Sequence, residues 1–254
     1  MLYLVGMGIS GELSPNAKRI CSSSEAYIDS YTSLLSKESL LEVSREIGVE
    51  PKPLARYDLE EGASLLAKKA VSSDVAVLVP GDPLVATTHK TLLAEAKKAG
   101  AKWLVVHSSS IASAAIGESM LDFYRFGRIA TVPSWSEHYH PVSFYETVLG
   151  NSTAGAHTLL LFDYDSKKSR SMSFKEAFEV MHAAEKKYQK GILNENSKVI
   201  FLHNIGIEGQ SVVKGRLSDA QNIKYTDGLN SIIVPAELTY IEAELTGLLL
   251  EGEW

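Results

Sequence analysis

Three stretches of this chain combine residue types that could bind a ligand or support a reaction. "LVGMGISGELSP" carries Gly6-x-Gly8-x-x-Gly11 straight after an apolar run. "LVPGDPLVATTH" sets a carboxylate, Asp82, between Pro80 and Pro83, ahead of small residues and threonines. "VVHSSSIASAAIGE" offers Ser108, Ser109 and Ser110, then Ala112, Ser113, Ala114 and Ala115. Glycines and alanines let backbone come close to a ligand, and hydroxyls both donate and accept hydrogen bonds. Each stretch follows an apolar run of strand length. Strand ends are where open α/β sheets hold their ligands.

The glycine pattern matches the dinucleotide fingerprint, and Asp29 lies near the distance of a ribose-binding acid. Its context differs. A dinucleotide turn has its last glycine inside a helix whose N-terminus faces the pyrophosphate. Here Glu12 follows Gly11, and the helix start falls later, at Ser14-Pro15. The spacing predicts a longer glycine loop that approaches another small molecule, with a ligand-free loop as the plainer alternative.

Asp82 narrows the ligand. Two anions about 4 Å apart repel by roughly 4 kcal/mol at an effective dielectric near 20, which disfavours a phosphate beside this turn. A carboxylate with neighbouring hydroxyls suits a cationic, hydroxyl-bearing ligand such as S-adenosyl-L-methionine. The competing reading is an aspartate that only caps its own turn. For the serine stretch, a ligand wall and an ordinary serine-capped helix are equally compatible with the residues.

Alternating strand and helix patterns must position these loops. Strands are expected at Leu2–Val5, Ala26–Tyr31, Lys52–Ala55, Val75–Val79 and Trp103–His107, with Arg128–Val132 closing the first half. Helical patterns fall at Ser39–Ile47, Glu60–Val71, Lys90–Lys98 and Ile111–Gly117, and the segment after Pro83 also reads as helix-like. "PSWSEHYHPVSFYE" then breaks the rhythm, so domains are expected at 1–133 and 134–254. The second half gives strands at His157–Phe162, Lys198–His203, Gln210–Leu217 and Ser231–Pro235, with helices at Phe174–Tyr188 and Glu237–Leu250. The fold class is two α/β domains, the first with a mostly parallel sheet and the second with a mixed one.

Composition sets the outer limits. The chain has 254 residues, 45% hydrophobic, with a formal charge of −6. That balance argues against a nucleic-acid binder with a broad basic face. No apolar run reaches the length of a membrane span, and the apolar start lacks a basic leader, so a cytoplasmic location is expected. One cysteine, Cys21, forbids an intrachain disulfide and is expected as a small buried hydrophobe. The seven histidines show no ligand spacing, so no metal is expected.

With these pieces assembled, the sequence resembles the tetrapyrrole methylase-like, class III S-adenosylmethionine-dependent methyltransferases. Within them it is most similar to the branch that modifies translation elongation factor 2 in diphthamide biosynthesis. The resemblance rests on "MLYLVGMGIS", "DSYTSLL", "PGDPLVATTH", "HSSSIASA", "AHTLLLFD" and "IIVPAELTYIEAE", in that order along nearly the whole chain. It implies a cofactor cleft between the two domains, in a homodimer, with S-adenosyl-L-homocysteine as product. It also implies cofactor contacts at Ile9, Asp82, Val85, Ser110 and Ile111, and at Phe162, Ile205 and Asn230 from the second half. Asn230 stands where the family pattern has histidine. Tyr31, Thr32 and Ser33 become acceptor-side candidates, and no catalytic base is named. The implied reaction is methylation of the amino group of a 3-amino-3-carboxypropyl chain on a histidine of the factor. The alternatives are a corrin-type small-molecule acceptor and an NAD-linked binding module.

Overall fold

The protein was analysed as a computed structural model, which describes residues 1–32, 37–165, 170–225 and 228–254. The chain forms two compact units, Met1–Ala112 and Ser113–Trp254.

The first unit is built on five parallel strands: β1 (Leu2–Gly6), β2 (Glu25–Asp29), β3 (Lys52–Leu54), β4 (Val75–Val79) and β5 (Trp103–Val106), in the order β3-β2-β4-β1-β5. Parallel strands covered on both faces read as continuous apolar runs, and all five residues of β4 are buried. Alternation divides them. Val75, Val77 and Val79 join one core with Leu66, Ala70, Leu92 and Ala96, while Ala76 and Leu78 join another with Ala17, Ile20, Val43 and Ile47. The helices are α1 (Pro15–Ser22), α2 (Lys37–Ile47), α3 (Arg56–Leu59), α4 (Ala63–Ser72) and α5 (Lys90–Ala99); α6 (Ile111–Glu118) starts here and continues in the second unit from Ser113. Ser14 caps α1 by accepting from Ala17 N at 3.2 Å, as the Ser-Pro signal predicts. Cys21 is fully buried, and burial pushes its thiol up to about 12.

The helix expected over Glu60–Val71 starts later, as α4 at Ala63, because the chain turns at Gly62 after the separate short α3; a side chain at Gly62 would crowd the backbone of Asp58 and Tyr57.

The second unit carries a mixed sheet. Its strands are β6 (Ala130–Val132), β7 (Thr158–Phe162), β10 (Lys198–His203), β11 (Ser211–Arg216) and β12 (Asn230–Val234), in the order β11-β10-β12-β7-β6. Only β6 and β7 run parallel; the other three pairings are antiparallel. The strands β8 (Tyr164–Asp165) and β9 (Arg170–Ser171) pair separately. Helices α7 (Ser143–Thr153), α8 (Phe174–Tyr188) and α9 (Tyr240–Leu249) complete it. Ser173 with Glu176, and Thr239 with Glu242, form capping boxes that start α8 and α9. The strand expected to close the first half, Arg128–Val132, instead lies at the edge of this second sheet as β6. A three-residue strand does not reveal in its own sequence which sheet it joins. Helix α7 also begins inside the stretch that read as a break, because Pro141 and the aromatics mask the start of the pattern that buries Phe144, Tyr145 and Val148.

Candidate functional site

The carboxyl edge of the first sheet gathers three loops. Strands β4, β1 and β5 lie side by side, and their pairing runs on past the strand ends. Met7 N donates to Val79 O at 2.9 Å; beyond it Gly8 and Gly81 exchange both backbone bonds, at 3.1 and 2.9 Å. Gly8 has a φ of +71°, and a Cβ there would sit 2.8 Å from Ser109 Oγ. At Gly6 a Cβ would meet Gly81 O at 2.8 Å and Ser108 Cβ at 2.9 Å. Ile9 N donates to Ser109 Oγ at 3.0 Å, which ties the serine loop to the glycine loop. Only residues without side chains allow this closeness.

Asp82, 5% exposed, organises the same edge. Its Oδ1 accepts from Leu84 N at 2.9 Å, and its Oδ2 accepts from His107 Nδ1 at 2.8 Å and Ser108 N at 3.2 Å. Burial pushes its carboxyl upward, but the Leu84 amide, His107 and the Ser108 amide together outweigh that and hold it below the usual carboxylate range. The charge therefore persists at neutral pH, where it disfavours a phosphate neighbour.

The segment after the turn is not helical. Residues 83–89 run through turns and bends, Ala86 takes a φ of +55°, and α5 begins only at Lys90. Side-chain bonds replace the helical ladder here: Asp82 takes the Leu84 amide, and Thr87 Oγ1 donates to Pro83 O at 2.7 Å. As a result, no helix N-terminus directly follows Asp82 to attract an anion.

Ile9, Asp82, Val85 and Ser110 all belong to these interlocked loops. Ile9 is half-buried, Val85 is exposed, and Ser110 Oγ accepts from Ala112 N at 3.2 Å while Ile111 opens α6. Glycine backbone, hydroxyls and a persistent carboxylate fit a cationic, phosphate-free cofactor.

Beside them, at the end of β2, lies a second polar cluster. Asp29 is fully buried and accepts from Tyr31 N at 2.9 Å, from Thr32 N at 3.2 Å and from Thr32 Oγ1. His89 Nε2 lies 3.2 Å from Asp29 Oδ2. Burial again works against the charged carboxyl, but His89, Thr32 and the Tyr31 amide bring its pKa below the ordinary value. Tyr31 OH lies 3.0 Å from Thr88 Oγ1 and 3.4 Å from Glu60 Oε1. Ser33 lies outside the described residues.

In the second unit, Phe162 ends β7 and sets its ring edge-on to Phe174 at 5.7 Å. Ile205 is buried after β10. Asn230 opens β12: its Nδ2 donates to Met172 O at 3.1 Å and its Oδ1 accepts from His203 Nδ1 at 2.8 Å. His203 stacks on Tyr225 at 4.1 Å. Asn230 thus accepts the His203 proton, a role a histidine there would fill only through an unprotonated ring nitrogen.

Sequence reasoning passed over His89 and His107 as side chains. The signal was present in "TTH" and "VVHSSS", but only the fold sets each histidine against an aspartate from another loop.

Residues 1–221 match the family model of the tetrapyrrole (corrin/porphyrin) methylases. A diphthine synthase of Methanothermobacter thermautotrophicus is 36% identical over 247 residues, covering 96% of this chain and 93% of the relative. An Arabidopsis thaliana protein named as a probable diphthine methyl ester synthase is 30% identical, with 96% of each chain covered. A crystal structure of a diphthine synthase superposes with a TM-score of 0.84 at 29% identity, covering 98% of this chain and 95% of that one.

Proposed function

Since the chain belongs to the tetrapyrrole (corrin/porphyrin) methylases and, among them, to the diphthine synthase family, we propose that it methylates translation elongation factor 2 in diphthamide biosynthesis. By family it is a methyltransferase. The acceptor is the amino group of the 3-amino-3-carboxypropyl-histidine of the factor, and S-adenosyl-L-methionine is the methyl donor. The observation that carries the reading is the stapled edge of the first sheet: glycine backbone against a buried, ionised Asp82, with no phosphate-binding helix start behind it.

When bound, the cofactor supplies an electrophilic methyl group on a sulfonium. Ile9, Val85, Ser110 and Ile111 would hold it; Phe162, Ile205 and Asn230 of the second unit are further candidate contacts that the family resemblance implies. Asp82 acts by fixing the wall, since both of its oxygens are engaged by Leu84, Ser108 and His107. The acceptor amine attacks as the neutral base, so the residues around it must align it and exclude water; positioning supplies most of such a rate enhancement. Tyr31 and Thr32, with Ser33, are the acceptor-side residues of this reading.

Purified protein, labelled S-adenosyl-L-methionine and precursor-bearing elongation factor should give labelled factor. No transfer sinks the reading. Label in the small-molecule fraction of a cell extract would favour a tetrapyrrole-like acceptor instead. The name of the plant relative favours a second reading, methylation of the carboxylate of the same chain. Loss of label in mild base would identify that ester, whereas an ammonium product keeps its label.

Two further parts belong to the proposal. A cytoplasmic location follows from the substrate, and no helix among the described residues is long and apolar enough to cross a membrane. A homodimer is supported by α9, which leaves Tyr240, Ile241, Leu248 and Leu249 exposed. Light scattering of the purified chain tests it.

A further inference from the structure

We propose that Asp29 and His89 form a buried latch that holds the Tyr31–Thr32 loop against the Gly-Asp-Pro loop and so sets the alignment of acceptor and methyl donor. This rests on the methyl-transfer reading above. The two loops leave neighbouring strands, β2 and β4. Two side-chain links join them: His89 Nε2 lies 3.2 Å from Asp29 Oδ2, and Tyr31 OH lies 3.0 Å from Thr88 Oγ1.

A structural core would fill this space with carbon. Asp29 is 0% exposed and His89 is 1% exposed. His89 Nδ1 has no hydrogen-bond partner among the described residues, and Nε2 approaches Asp29 without hydrogen-bond geometry. A buried polar atom left without a partner is costly and asks for a reason beyond packing. The segment between the anchors gives one. Asp82 fixes its near end through the Leu84 and Ser108 amides, His89 fixes its far end, and Ala86 between them is held at a φ of +55°. A left-handed alanine persists only where both sides over-determine the backbone. The segment's own Asp82–Leu84 and Thr87–Pro83 bonds keep Val85 in place, and the latch sets Tyr31 and Thr32 in register against it. His89 and Asp29 are positioning residues, not catalytic ones. An in-line transfer is sensitive to such register, since a displacement of about 1 Å can cost on the order of 100-fold in rate.

The test compares wild type, His89→Leu and His89→Gln. In H89L, turnover on elongation factor should fall by about 30-fold, while KM for the factor and the S-adenosylhomocysteine dissociation constant stay near wild type. H89Q, which keeps an N–H toward Asp29, should recover most of the rate. Wild-type turnover in H89L overturns the latch. So does a loss of S-adenosylhomocysteine affinity in step with turnover, because His89 would then only pack the cofactor loop. If H89L does not fold, the exposed Thr88→Val variant decides: reduced turnover at unchanged cofactor affinity supports the latch, and unchanged turnover overturns it. Failure of the wild type to methylate any factor would sink the functional reading instead. The latch is then judged by hydrogen exchange. Tyr31 and Thr32 amides should exchange faster in H89L while Leu84 and Ser108 amides do not change, and unchanged Tyr31 and Thr32 exchange refutes it.

Discussion

Each unit buries a carboxylate against a histidine, and the two pairs differ in completeness. In the second unit Glu242 accepts from Asp122 N at 3.0 Å, Thr239 N at 2.8 Å, Thr239 Oγ1 at 3.0 Å, His157 Nε2 at 2.9 Å and from Arg125. His157 uses its other nitrogen to accept from Ala236 N at 2.9 Å. Both Glu242 carboxylate oxygens and both His157 nitrogens have partners, and the effect is to fasten α9 to its own unit. Among the described residues, the Asp29–His89 pair leaves one nitrogen without a partner and the other poorly aligned. A satisfied network rigidifies a fold; an incompletely satisfied one persists where something other than stability selects it.

The largest expected effect breaks the complete network. Glu242→Ala removes the acceptor of five donors and leaves Arg125 without its counter-charge. It should cost about 3–5 kcal/mol of unfolding free energy, measured by denaturant titration. Acid attacks the same place. The carboxyl of Glu242 is lowered from 4.5 to about 2: burial opposes this, but the Thr239 and Asp122 amides and His157 overcome it. Its stabilisation is complete above about pH 4.5 and lost as pH falls toward 2. A Glu242→Gln variant should therefore show a flatter stability profile across that range. Equal acid sensitivity in the variant would remove Glu242 from the explanation.

Effects at the first sheet's edge should be smaller in stability and larger in ligand binding. Gly8→Ala puts a side chain at a φ of +71° and against Ser109. It should destabilise by roughly 2 kcal/mol and abolish the rise in melting temperature given by S-adenosylhomocysteine. Asp82→Asn keeps the shape and removes the charge, so it should cost about 1 kcal/mol and reduce that rise. A full ligand response in both variants would dissolve the contrast between the two units. At the bottom of the scale, Tyr240→Ser on the exposed face of α9 should change unfolding by less than about 0.5 kcal/mol at low concentration, yet shift the proposed dimer toward monomer.

The sequence made these two regions unequally legible. The parallel sheet announced itself because β4 is a continuous apolar run and because Ser14-Pro15 and Gly100 punctuate the helices locally. The glycine loop and the Gly-Asp-Pro turn were visible for the same reason: glycine and proline act through their own backbone. The missed segment after Pro83 was local, set by the Asp82–Leu84 and Thr87–Pro83 bonds, but the failures of pairing and partner choice were non-local. Nothing within Ala130–Val132 says that it pairs with Leu160–Phe162. Nothing within "TTH" says that its histidine will meet Asp29, whose partner choice depends on β2 and β4 becoming neighbours. The same holds for Glu242, which reads as an ordinary capping-box acid until Arg125 and His157 arrive from elsewhere in the chain.

The paired bonds between Gly8 and Gly81 have a kinetic consequence. They join residues far apart in the chain and can form only after β1 and β4 have docked, so the loop-closure entropy is already spent when they appear. The ligand edge is thus a late event on the folding route. Weakening it should hasten unfolding and leave the refolding rate nearly unchanged. A chain released half-folded would have its sheet but not its binding edge, and ligand capture would report that folding had run to completion.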